Sequence, residues 1–573
     1  MGVDVMTVGD DRSGTFTVGG VSIGRRGFLQ TLAAIGAAGS AAACSRGAGP
    51  SAPGTAKVSA TPSASTVKIP GPPWQDGVRG GTGIQLWGDS TVTFDPPLAY
   101  GQADYYGLSN FFRGLAFYDQ DNIPQLDLAE SLDLSPDGKV YTFKLKPGIT
   151  FHNGRAVTAA DFKWTFERSS SKKIGSWVQG FLASVKGHKE FVAGTAKEIS
   201  GIVAKDDRTL VLTLDKPDVT ILSVVGIPPF YVMAKEEVAR LGDKVATTPV
   251  GAGPYKLVNW DDNTRTLTAE RFPGYVYAGE LPYLDKIEHS WGVAEDVRYL
   301  KVSKNEADLT IGVPPSAVPR IKRDPAQASR FKEWASFSLS YWAFDVTSEP
   351  FKDVRVRQAF NYAFNRERTA ALGFKGTGRY YPPGLLGAED SVPAYGYDPD
   401  KARALLAEAG AGGLSLTLPV LDSGAANNAR LAQLLQQDLQ AVGVTVNLEQ
   451  VQQTPYDIGA GLPKKYRWWN QGWGMGLPDP SELVNSLVGT GAPSNYGGYT
   501  NPRIDALGKE AIAEADRTKR AALYAQIERL LLADAPFLFF GVTVPTTFSS
   551  TALQNVTWTP VLVTFWDRFW KTT

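Results

Sequence analysis

The chain has 573 residues, with 58 basic and 58 acidic side chains and a formal net charge of zero. A neutral chain argues against a nucleic acid partner, which demands clustered basic groups. The length exceeds one ordinary core of about 100–200 residues and requires two or more lobes. The three histidines, His152, His188 and His289, are far apart and have no cysteine beside them, so no zinc motif forms.

The first element is an export signal. Arg25 and Arg26 precede Phe28-Leu29 and an Ala/Gly-rich run that ends at Ala43, directly before Cys44, the only cysteine. A basic head, a short apolar run and small residues before a cut site make a secretory leader, and paired arginines mark one bacterial export route. Residues 1–44 resemble a twin-arginine lipoprotein signal with Cys44 as the lipid acceptor. Gly24 and Ala41 depart from the Ser and Leu usual in such leaders. The run from Gly27 to Ala43 is too short and too rich in Ala and Gly for a membrane span of roughly 20 residues. With no cysteine after Cys44, the exported body has no internal disulfide.

Residues 45–79 read as a flexible linker. Ser, Ala, Pro, Thr and Gly dominate Ser45–Pro73 and bury too little apolar surface to fold. A coil of that length averages roughly 30 Å end to end.

The folded body starts near Gly80. Ile84–Trp87 reads as a first strand. Tyr141–Lys146 alternates apolar and polar residues, the period of a half-buried strand, before the turn at Pro147-Gly148. Thr209–Leu214 is a strand after the turn at Asp206-Asp207. Asp398-Pro399 opens a helix with a cap and a proline in its first turn. Ala402, Leu405, Leu406 and Ala409 form its stripe, and Gly410 stops it. Leu431, Leu434, Leu435, Leu439 and Val442 mark the next helix, followed by a strand at Val444–Leu448. Leu523, Ile527, Leu530 and Leu531 mark another, followed by a buried strand at Phe537–Val544. Helices alternating with strands place the chain in the α/β class.

Four blocks carry a resemblance. Ala129–Arg168 reads AESLDLSPDGKVYTFKLKPGITFHNGRAVTAADFKWTFER, in which Thr158 and Asp161 suit the start of a helix at Ala159. Pro249–Trp260 reads PVGAGPYKLVNW, Phe351–Arg368 reads FKDVRVRQAFNYAFNRER and Asn495–Leu507 reads NYGGYTNPRIDAL. In this order and spacing they resemble the family 5 extracellular solute-binding proteins, receptors of peptide- and nickel-type ATP-binding-cassette importers.

The resemblance implies a bilobed periplasmic-binding-protein-like fold of type II, with two lobes joined by a two-strand hinge. It places lobe I at 80–335 with 542–573 and lobe II at 336–541. It implies closure of the lobes around a solute. No enzyme activity, cofactor or metal site is expected, and a nickel chelate is a less expected ligand that the few histidines alone do not exclude. The expected partners are an oligopeptide or oligosaccharide, importer permease subunits, and the membrane through a lipid on Cys44. The expected protein is a monomer on the outer face of the cell membrane.

The resemblance also suggests the pocket. Peptide-binding members carry an aspartate for the peptide amine in a segment that here reads Trp473-Gly474-Met475-Gly476-Leu477-Pro478-Asp479-Pro480. The aspartate position falls on Gly476, so the ordinary peptide mode lacks its charge; Asp479 is the candidate substitute. Candidate ligand contacts are Trp473, Trp87, Asn495, Tyr496, Tyr499, Gly476 and Asp479. Trp468 and Trp469 flank a strand, with one facing the core. Arg113, where the family carries an acidic residue, reads as a surface ion pair. The lost charge and the tryptophans keep an oligosaccharide, or a peptide with a blocked amine, as alternative ligands. A sensor on the same fold remains a second alternative, and an extracellular hydrolase a third, although no GxSxG elbow or paired-carboxylate motif stands out.

Overall fold

The computed structural model describes residues 77–88, 92–100, 102–119, 123–421, 426–452, 462–559 and 565–572, together with three short strands nearer the N-terminus. Arg25, Arg26 and Cys44 lie outside the described residues. Of the segment read as a leader, only the backbone of an antiparallel pair, Thr15–Val18 with Val21–Gly24, is described. Ser65–Val67, inside the segment read as linker, pairs antiparallel with Leu132–Leu134 and forms an edge strand of the first lobe. Among the described residues, no helix is long and apolar enough to cross a membrane.

The first lobe is built on two sheets. A seven-stranded mixed sheet runs in the order Tyr255–Asp261, Thr266–Arg271, Lys286–Ser290, Thr82–Leu86, Leu309–Ile311, Thr546–Ser549 and Phe331–Glu333. Its central strand, Thr82–Leu86, is parallel to both neighbours. The C-terminal part of the chain returns to this sheet as Thr546–Ser549. A five-stranded antiparallel sheet contains Ala129–Leu134, Val140–Leu145, Thr209–Thr213 and Ile202–Asp206, with Ser65–Val67 on its edge. Each sheet has its own apolar core, one around Phe143, Phe162 and Phe166, the other around Phe94, Tyr106 and Trp566. The helix Ala159–Ser170 closes the first core. Its start is fixed by Asp161, whose carboxylate accepts the Thr158 N–H at 2.9 Å.

The second lobe carries a four-stranded sheet in the order Phe374–Lys375, Phe537–Thr543, Ser338–Phe344 and Trp468–Gly474. Parallel strands Ser415–Leu421 and Thr445–Val451 pack beside it. They are joined through Ala426–Gln440, as their apolar stripe requires. The helix Pro399–Glu408 begins where the sequence places it: Asp398 accepts the Lys401 N–H at 2.9 Å.

The chain passes between lobes twice, on either side of the paired strands Ser338–Phe344 and Phe537–Thr543. The Ser336 and Thr543 hydroxyls approach to 3.4 Å between these crossings. The lobes also touch away from the hinge. Leu477 of the second lobe is buried in the core of the five-stranded sheet, and the Val219 N–H donates to the Ile512 carbonyl at 3.1 Å.

Candidate ligand-binding site

Two depressions open where the lobes meet. The smaller, about 320 Å³, has Tyr100, Tyr105 and Trp177 of the first lobe on one side. Residues 338–340 and 472–476 of the second lobe, with Thr543, form the other side. The larger, about 1070 Å³, runs past the hinge, with Trp87, Glu295, Arg298, Lys322, Glu333 and Lys375 on its walls.

The wall of the smaller cavity follows from sheet order. Among the described residues, Trp468–Gly474 is the outermost strand of its sheet and pairs with Ser338–Phe344 alone. Its glycines, Gly472 and Gly474, let another backbone or a ligand come close. Past Gly474 the chain leaves the sheet, and Met475-Gly476-Leu477 cross toward the first lobe. Space is tight there. A Cβ placed on Gly476 would stand 2.5 Å from Cη2 of Trp177 and 3.3 Å from the Tyr105 hydroxyl. Trp177 is itself held by its indole N–H, which donates to the Ala99 carbonyl at 2.8 Å.

Beneath this loop lies Glu482. Its Oε1 accepts the Trp473 indole N–H at 3.0 Å and the Gly476 N–H at 3.3 Å, and its Oε2 accepts the Leu477 N–H at 2.5 Å. The residue is only 2% exposed. Burial is the largest influence on its acidity. The three hydrogen bonds oppose it and Asp479 adds to it, and the carboxyl is pushed up to about 8. Across the cavity, the Tyr105 hydroxyl is buried with no hydrogen-bond partner among the described residues. Burial pushes that phenol well up.

The residues singled out in the sequence divide. Trp473 and Gly476 line the smaller cavity. Tyr496 is exposed, close enough to Tyr100 and Tyr341 to influence both phenols electrostatically. Trp87 borders the larger groove instead. Its ring packs on Tyr106 with centroids 4.5 Å apart, and its indole N–H is buried without a partner among the described residues.

Three candidates are corrected. Asp479 is buried and bound to Arg520 at 2.6 Å, with the Tyr524 hydroxyl at 3.3 Å and the Ser481 N–H at 3.0 Å. Its charge is spent inside the lobe. Asn495 donates to the Gly489 and Tyr499 carbonyls and accepts the Tyr499 N–H, so its amide holds a loop together. Tyr499 is a core residue whose hydroxyl donates to Asp534 at 2.5 Å. Two further readings change. Trp468 and Trp469 are both fully buried, in separate cores of the second lobe. Arg113 makes an ion pair, but a buried one, with Asp567 and with Asp127 at 3.7 Å.

Trp177, Tyr105 and Glu482 were not singled out in the sequence. Glu482 had a faint signal: it and Asp479 are the two acids in the otherwise uncharged run 475–488. Among the described residues, no group of three His, Cys, Asp or Glu side chains is placed to hold a metal ion.

Comparison with known proteins agrees with this architecture. Residues 124–495 match the profile of the bacterial extracellular solute-binding proteins, family 5. A dipeptide-binding protein of Escherichia coli K12 is 30% identical over 444 residues, covering 72% of this chain and 80% of that protein. A glutathione-binding protein of Pectobacterium atrosepticum is 29% identical over 466 residues, covering 79% and 87%. Two solved structures share the fold. The E. coli murein tripeptide binding protein MppA has a TM-score of 0.74 at 21% identity, covering 86% of this chain and 98% of that one. Haemophilus influenzae OppA, in complex with the peptide RPPGFSPFR, has a TM-score of 0.73 at 21% identity, covering 87% and 100%.

Proposed function

The chain belongs to the bacterial extracellular solute-binding proteins of family 5, and from that premise we propose that it is the receptor of an ATP-binding cassette importer, capturing an oligopeptide between its lobes. The observation that carries this reading is the strand Trp468–Gly474, last in the four-stranded sheet of the second lobe, whose final residues Gly472, Trp473 and Gly474 line the inter-lobe cavity. An extended peptide can add to such an edge through its main chain, while flanking pockets take alternate side chains. The Tyr and Trp rings around the cavity offer broad apolar contact to those side chains. The peptide-type ligands named for the relatives above point the same way.

Binding by closure follows from the hinge. A ligand that touches both lobes favours the closed form by its differential affinity for it, and the closed form is what a permease can recognise. The protein acts as a binding protein, not as an enzyme. It is exported through the Arg25-Arg26 signal, anchored by a lipid on Cys44 and monomeric. The anchor is checked by the mass of the N-terminal peptide released from membranes, which should carry a diacylglyceryl-modified Cys44.

The receptor reading is tested by thermal shift with defined peptide and oligosaccharide panels, because a ligand specific to the native state raises the transition. Peptides of two to six residues should raise Tm. A rise with oligosaccharides and none with peptides would overturn the reading.

A further inference from the structure

We infer that Glu482 is a positioning residue: on the reading of this chain as a peptide receptor, its buried carboxyl ties the cavity wall at Trp473 to the lobe-crossing residues Gly476 and Leu477, and so couples capture of a peptide to closure of the lobes.

Three N–H groups converge on this carboxyl, and each belongs to a different part of the closing contact. The Trp473 indole lines the cavity, and its N–H donates to Oε1 at 3.0 Å. The Gly476 N–H donates to the same oxygen at 3.3 Å, and Gly476 lies against Trp177 of the first lobe. The Leu477 N–H donates to Oε2 at 2.5 Å, and the Leu477 side chain is buried in a first-lobe core. One side chain thus holds the wall that a ligand would touch and the two residues that meet the other lobe.

The loop between them is anchored at both ends. The Met475 N–H donates to the Phe337 carbonyl at 3.3 Å, beside the first hinge crossing. At the far end, Pro478 and Pro480 each fix a backbone angle, and Asp479 between them is held by Arg520 at 2.6 Å. Glu482 follows on the short helix Ser481–Leu483 and is 2% exposed. Without its carboxyl, the Gly476 and Leu477 N–H groups lose their acceptor in a buried place, and buried donors seek new partners. The loop would shift, and Leu477 would no longer be aimed into the first-lobe core. The loop is then the two-state element that closure requires, seated or unseated, and a ligand on the Trp473 wall biases it through Glu482.

The experiment uses the mature full-length protein and a double-mutant cycle in ligand affinity. The probe is the peptide that raises Tm most in a panel of defined two- to six-residue peptides. Calorimetry is run well below every variant's unfolding transition, so that stability does not enter. Leu477→Ala and Glu482→Ala should each weaken binding by at least about tenfold. In the Glu482→Ala background, Leu477→Ala should cost less than about twofold more, because an unseated loop no longer delivers that side chain. Glu482→Gln keeps the volume and one acceptor oxygen; it should lose less affinity than Glu482→Ala, and it carries the same cycle where Glu482→Ala is too unstable to purify. Small-angle scattering at saturating probe should show a smaller fall in radius of gyration for both Glu482 variants than for the parent. Losses that multiply in the double variant would overturn the inference and leave the receptor reading standing. So would an unchanged affinity on either single substitution, or equal compaction of parent and variants. A parent that binds no peptide of the panel would overturn the peptide reading and this inference with it.

Discussion

The indole N–H of Trp473 donates to Oε1 of Glu482 at 3.0 Å, which ties a cavity wall to a buried carboxyl. The acidity of that carboxyl is therefore linked to stability. Its ordinary value of 4.5 is pushed up to about 8 by burial. Between those values the native state holds a proton that the unfolded chain has released, so stability falls as pH rises through the window and levels off above it. The slope is at most about 1.4 kcal/mol per pH unit. Glu482→Gln removes this term. It also turns an amide nitrogen toward one of three N–H donors, at roughly 1–3 kcal/mol. The variant should be the less stable protein at pH 5, and the gap should narrow or reverse by pH 8.5. Urea denaturation at both pH values measures it, and a gap independent of pH would refute the linkage.

Asp479 tests the division between ligand contacts and internal structure. Asp479→Ala leaves the Arg520 guanidinium buried without its carboxylate. Removing one partner of such a pair costs roughly 3–5 kcal/mol. A clear fall in the denaturation midpoint is expected, with ligand affinity at low temperature little changed. A large loss of affinity at unchanged stability would return Asp479 to the binding site.

Trp473 is a wall of the cavity and a partner of Glu482 at once, and two substitutions separate these roles. Trp473→Ala removes the ring and should weaken ligand binding by at least about tenfold. It should also lower Tm, because the indole packs on the second-lobe core. Trp473→Phe keeps an aromatic wall but removes the N–H, leaving Glu482 one donor short at about 1 kcal/mol. Calorimetry should show the Phe variant much closer to the parent in affinity than the Ala variant. Equal affinity losses in both would mean that the N–H, rather than the ring, serves the ligand.

The fold was legible where the signal is local. Asp398-Pro399 starts a helix and Thr158 with Asp161 starts another, because caps and first-turn residues act within a few positions of themselves. The two-sheet build of the first lobe was not legible, since strands Thr82–Leu86 and Thr546–Ser549 join the same sheet from opposite ends of the chain. The site was legible only on its second-lobe side. Trp473 and Gly476 sit in a quotable segment, whereas Trp177 reaches Gly476 only through lobe contact. Asp479 and Asn495 misled for a physical reason. A carboxylate or amide near a pocket reads as a ligand group until its partners are seen, and here those partners are Arg520 and the backbone of a loop.

Leu477 gives a direct test of closure. It belongs to the second lobe by sequence, yet it is buried in the core of the five-stranded sheet of the first lobe. When the lobes part, that side chain returns to water. Its burial contributes about 1.5–3 kcal/mol to the closed form and nothing to the open one. Leu477→Ala should therefore shift the equilibrium toward the open form and weaken ligand binding by roughly 10- to 100-fold. The ligand-free protein, once open, should keep its unfolding midpoint. Small-angle scattering checks the first part, since saturating ligand should compact the parent at lower concentration than the variant. Unfolding of the ligand-free protein checks the second. An unchanged affinity would mean that Leu477 stays in the first-lobe core throughout the binding cycle.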